Sequence, residues 1–106
     1  MAIELGSALA AGEDGPWVHI NVGGKSVFPN RIVAVGGFSG DVVTVVYSPT
    51  GLPDQFGVAQ GTVNEIVLGT LANEQELIIN GPVNMVRAKA GAALVGSADV
   101  YLELAR

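Results

Sequence analysis

The stretch "RIVAVGGFSGDVVTVVY" (31–47) decides the fold. Successive side chains of a strand point to opposite faces, so period two is the strand signature. Ile32 and Ala34 alternate with Val33 and Val35; Val43, Val45 and Tyr47 alternate with Val42, Thr44 and Val46. Between the two runs lies "GFSGD" (37–41), whose glycines supply positive φ for a turn. The same design returns in "MVRAKAGAALVGSADVYLEL" (85–104), where Val100, Leu102 and Leu104 face in and Asp99, Tyr101 and Glu103 face out. Each stretch reads as a hairpin that contributes strands to the core. Arg31 and Arg87 begin corresponding strands, each expected to pair with a nearby acid or to cap carbonyls.

Working outward, further strands are expected at "WVHINV" (17–22), "SVFP" (26–29), "TVNEIVLG" (62–69) and "ELIING" (76–81). In "WVHINV", Val18, Ile20 and Val22 share one face and Trp17, His19 and Asn21 the other. Pro29 ends its strand or places it on an edge. "PTGLPD" (49–54) carries turn chemistry, "TLANEQ" (70–75) reads as a polar loop, and Gly81-Pro82 stops a strand. About seven or eight short strands at this spacing define an all-β protein. The expected architecture is an antiparallel β-sandwich of jelly-roll type. The expected organisation is an N-terminal arm over 1–15 and a β-sandwich domain over 16–106.

Composition narrows the function classes. The 106 residues suit one domain with its own core. With no cysteine, disulfides, thiolate metal sites and cysteine nucleophiles are excluded, and the chain fits a reducing cytoplasm. A net charge of -5 opposes binding to a phosphate backbone, which needs a basic stripe, so no nucleic-acid partner is expected. No apolar run approaches the ~18 residues of a membrane span, and residues 1–15 lack the basic start of a signal peptide, so no membrane association is expected.

Only 14% of residues are charged while 49% are hydrophobic, which is more apolar character than one small core absorbs. The strands over 31–47 are apolar on both faces, whereas a two-sheet sandwich has a single interior. The surplus side chains Val33, Val35, Val42, Val46, Val83 and Met85 are therefore the candidate subunit or assembly interface, and the 1–15 arm joins them. A homo-oligomer is expected.

No catalytic or cofactor motif emerges, so the expected protein is not an enzyme and holds no cofactor or metal. "NVGGKSV" (21–27) lacks a phosphate loop's first glycine, the position being His19, and a proline follows it where a helix would be needed. His19 is the sole histidine and makes neither triad nor metal site by itself. Glu13, Asp14, Asp41, Asp54, Glu74 and Glu76 sit at turns or strand edges without calcium-loop spacing. Trp17 and Tyr101, on the outward sides of their strands, form a candidate recognition surface, and they are the basis of an alternative reading as a carbohydrate-binding module.

"GPVNMVRAKAGAALVGSADVYLEL" (81–104) resembles the C-terminal strand pair of small β-sandwich structural proteins from tailed-phage virions, with Gly81, Pro82, Arg87, Gly96 and Val100 at the matching places. "GGFSGDVVTVVYSPTG" (36–51) resembles their middle hairpin. Its "VVYSPTG" is also similar to a strand ending of discoidin-like jelly rolls, though Thr50 stands where aspartate is usual and the disulfide cysteines are missing. The phage resemblance implies a capsid decoration (cement) protein, assembled in the host cytoplasm into the virion. The implied state is a homotrimer seated on the major capsid protein or another virion protein; a tail or fibre component is the other form it implies.

Overall fold

The computed structural model describes residues 2–19, 21–22, 25–26, 30–47, 65–79, 83 and 85–103. Those residues form ten strands and no helix: β1 (Ala2–Leu9), β2 (Val18–His19), β3 (Asn21–Val22), β4 (Lys25–Ser26), β5 (Asn30–Val35), β6 (Val43–Tyr47), β7 (Ile66–Leu71), β8 (Gln75–Ile79), β9 (Met85–Ala90) and β10 (Ala98–Glu103). All pairings are antiparallel. One sheet runs β1-β10-β5-β8, the other β2-β9-β6-β7, and β3-β4 form a separate two-residue ladder. The expected all-β fold, with two sheets closing on a single core, is what the chain adopts. The turn expected over 49–54, strand residues 27–29 and 62–64, Ile20, the Gly81-Pro82 stop and Leu104 lie outside the described residues.

The two look-alike stretches are arches rather than hairpins. β5 and β6 lie in different sheets, as do β9 and β10. Each connection, 36–42 and 91–97, drops an apolar side chain, Phe38 or Leu94, into the core as the chain crosses between sheets. A tight hairpin turn would leave that side chain in water. The arches instead pair with each other. β5 runs beside β10 with Ala34 opposite Val100, and β6 beside β9 with Val45 opposite Ala88. Their tips are tied as well. Ser39 N–H donates to the Val95 carbonyl at 3.0 Å, and Val95 N–H returns a bond to the Ser39 carbonyl at 2.7 Å. Gly40 and Gly96 hold equivalent left-handed positions, φ 82° and 86°, which only glycine adopts without strain. Asp41 Oδ1 accepts from Val42 N–H at 2.8 Å, and Oδ2 accepts from Ala93 N–H in the other arch at 3.1 Å. A Cβ at Gly91 would overlap that carboxyl, so glycine is what lets Asp41 reach across.

The inward faces follow the sequence period. Ile32, Ala34, Val43, Val45, Val100 and Leu102 are buried in one cluster, as the alternation requires. Residues 1–15 depart from the expected arm. β1 is an edge strand paired with β10, and Leu5 and Leu9 are part of the core. Register irregularities between Glu4 and Gly6 and between Gly6 and Leu9 break its period, which is why alternation did not reveal it. Past β1 the chain changes sheets and lies along β9. Gly15 N–H donates to the Ala88 carbonyl at 2.8 Å, and Ala90 N–H donates to the Glu13 carbonyl at 2.8 Å. The "WVHINV" strand is likewise broken in two, β2 pairing with β9 and β3 with β4. The expected 70–75 loop is shorter, because Thr70 and Leu71 continue β7.

Candidate interaction surfaces

The outer face of the β2-β9-β6-β7 sheet carries a charged chain of contacts. Arg87 and Lys89 point outward from β9 because Val86, Ala88 and Ala90 point into the core. Glu65, just before β7, spans both cations. Its Oε1 accepts from Lys89 Nζ at 2.8 Å, and its Oε2 lies 3.6 Å from Arg87 Nη1. The Arg87 guanidinium carbon sits 4.7 Å from the centre of the Trp17 ring, a cation–π contact. Trp17 Nε1 and Arg87 Nε are buried without a hydrogen-bond partner among the described residues. Beside this chain is a cavity of about 330 Å³ bounded by Thr44, Val46, Glu65, Val67 and Lys89. The one carboxylate among its described lining residues, Glu65, is already committed to two cations. Among the described residues no three His, Asp or Glu side chains converge as a metal site, and no helix is long and apolar enough to cross a membrane.

The outer face of the β1-β10-β5-β8 sheet is different. Arg31 bridges Glu103 at 2.6 Å and Glu76 at 3.2 Å across three strands. Glu103, by hydrogen bond and charge, and then Glu76 raise the guanidinium's pKa above its ordinary value. All three side chains are about half exposed, so the triad fixes register more than it stabilises. Half-buried Val33 lies opposite Tyr101, and half-buried Val35 opposite Asp99.

The six residues expected to form one interface therefore divide. Val33 and Val35 lie on the outer face of one sheet. Val46, 2% exposed, and Met85, 3% exposed, are buried within the single chain outside the main core cluster. Val83 belongs to the core itself. Val42 is half-buried at the end of the first arch, where its carbonyl accepts from Gly91 N–H at 3.0 Å. Alternation assigns a side chain to a face but does not say what covers the face, and here the chain covers part of it. Trp17 and Tyr101 also separate, since Trp17 packs on Arg87 of one sheet and Tyr101 belongs to the other. They form no shared platform, and Arg87 occupies one face of the Trp17 ring.

Exposed apolar area gathers elsewhere. Among the described residues, the large hydrophobics left in water are Ile66 at 44%, Val67 at 59%, Ile78 at 47% and Val95 at 62%. Three of these four lie on β7 and β8, the edge strands of the two sheets, which lie beside each other on one side of the sandwich. The sequence carried a signal for this. Adjacent apolar residues in a regular strand cannot both face one core, so Ile78-Ile79 announces an outward isoleucine. No family model, curated protein or solved structure matches the chain.

Proposed function

We propose that the chain is a non-catalytic structural subunit that self-associates and seats on a larger protein shell, as a decoration or cement protein of a tailed-phage virion does. The observation that carries the reading is the placement of Ile66, Val67 and Ile78, all exposed, on two neighbouring strands that are outermost in their sheets among the described residues. An edge strand offers unpaired N–H and C=O groups, and soluble proteins normally guard it with charge, proline or cover. Edges that present isoleucine and valine to water favour a protein partner. The strand orders also support a jelly-roll winding, since between successive strands of the two four-stranded sheets the chain changes sheets every time except from β6 to β7. The role would be mechanical. Apolar area buried between subunits, worth about 25 cal/mol per Å² before association costs, makes each shell contact harder to break.

The test is molar mass by light scattering down to low micromolar concentration, together with mass spectrometry of purified virions from a host that encodes the sequence. A stable multiple of 10.8 kDa and stoichiometric virion peptides are expected. A 10.8 kDa species at every concentration, with no virion peptides, would refute the reading.

A further inference from the structure

We infer that β7 is the self-association edge, and that it pairs antiparallel with β7 of a second copy about a two-fold axis. The inference rests on the self-association proposed above and names the surface that performs it.

Among the described residues, three strands of useful length are outermost in their sheets, with no further strand beside them: β1, β7 and β8. β1 is guarded by two register irregularities and by Glu4. On β8, Glu76 stands mid-strand, half exposed and bound to Arg31. A second β8 there would have to accommodate that ion pair. β7 reads "IVLGTL", with no charged residue and no proline. Its guard is the irregularity opposite Val45 and Val46. Glu65, the nearest acid before it, is held by Lys89 and Arg87, so this border presents no free carboxylate among the described residues.

Charge favours an identical partner. Copies with a net charge of -5 repel wherever acids meet. An uncharged strand is where two such copies approach at least cost, and it offers nothing for a charged partner to recognise. Register agrees. On β7, Val67 and Thr70 lie opposite the outward Val46 and Thr44, while Ile66, Gly69 and Leu71 lie opposite Tyr47, Val45 and Val43, which pack toward the core. An axis between Leu68 and Gly69 sets Val67 against Thr70 of the second copy and Ile66 against its Leu71. Outward residues then meet outward residues, and the β2-β9-β6-β7 sheet continues across both copies. Such a contact is isologous and closes at two.

The experiment is light scattering on the full chain and on three variants. Wild type is expected at twice 10.8 kDa. Val67→Lys with Thr70→Lys, both exposed positions, should give a monomer with unchanged far-ultraviolet circular dichroism, whereas Ile78→Lys should remain dimeric. The third variant, Val67→Cys with Thr70→Cys, tests register without added charge. The chain has no other cysteine, and directly opposed strand residues lie within disulfide reach, so oxidation should yield a covalent dimer. That variant also decides the matter if the lysine pair fails to fold. A dimer broken by Ile78→Lys and not by the β7 lysines, or no covalent dimer from the cysteine pair, overturns the β7 assignment and leaves self-association standing. A mass of three copies overturns the two-fold axis and the β7-to-β7 pairing together, because that pairing closes at two. A wild-type monomer at all concentrations overturns both proposals.

Discussion

Replacing Leu5 with alanine separates an integral first strand from a dispensable arm. Leu5 is fully buried on β1, within the cluster that includes Val100 and Leu102 of β10. Leu→Ala at a buried site costs about 2–5 kcal/mol, the spread reflecting how far the cavity collapses. β1 is an edge strand and can relax inward, which places this site near the middle of the range, at about 3 kcal/mol. For a domain of this size that lowers Tm by about 12–24 °C, since each kcal/mol is worth about 4–8 °C. In urea, with a slope of about 1–2 kcal/mol/M, the midpoint moves by about 1.5–3 M. Equilibrium unfolding followed by circular dichroism, at fixed protein concentration, measures both. Glu4→Ala, one residue away and exposed, is the comparator and should fall within about 0.5 kcal/mol of wild type. If Leu5→Ala also stays within that margin, β1 is not part of the cooperative core and the account of the N-terminal segment is wrong.

Asp41 should make the arches acid-sensitive. Its backbone bonds from Val42 and then Ala93 hold its pKa below the usual carboxylate value. Its contribution is therefore fully present above the unfolded-state pKa of about 3.9 and is lost as pH falls through the lower folded value. Asp41→Ala should lower Tm at pH 7, and the gap to wild type should narrow below about pH 4; a gap that is constant from pH 7 to pH 2 would exclude the mechanism. Glu65→Gln removes the carboxylate shared by Lys89 and Arg87 at partly buried positions and should cost about 1 kcal/mol, less in high salt; thermal melts at low and high ionic strength check it, and no loss at low salt would contradict it.

The division between what was legible and what was not follows the range of the interactions. Alternation is local, so the faces of Ile32, Ala34, Val43, Val45, Val100 and Leu102 could be read directly. Pairing is not local. A glycine-bearing turn between two valine runs serves a hairpin or an arch equally well, and the discriminating feature was the apolar residue inside each turn, Phe38 and Leu94. β1 escaped because irregularities at Gly6 shift its period, although Leu5 and Leu9 are as buried as residues of the central strands. The residues expected to form one interface are dispersed for a different reason. Val46 and Met85 do lie outside the main core cluster, but whether an outer face meets water, the same chain or another chain is settled by tertiary structure.

The repetition in the sequence has a physical reading in the pairing of the two arches. The first arch is apolar on both faces over Val42–Val46 and the second carries Arg87, Lys89, Asp99 and Glu103 outward, yet the strands of both sit centrally, flanked on both sides within their sheets. Two arches that pair with each other close the centre of the sandwich and leave two unlike flanks. One flank is finished by the N-terminal segment, which gives β1 to the first sheet and then lies along β9 of the second. On the other flank β7 and β8 stand beside each other, carrying Ile66, Val67 and Ile78 in water. Substitutions should therefore sort by flank. A change at Leu5 acts on unfolding, because it removes core contacts. A change at Val67 acts on association, because its side chain contributes mainly exposed area. On the proposed self-association, stability and assembly are separate, and the flank carrying Ile66, Val67 and Ile78, rather than the valine-rich centre, is where the surplus apolar character of the chain would find its use.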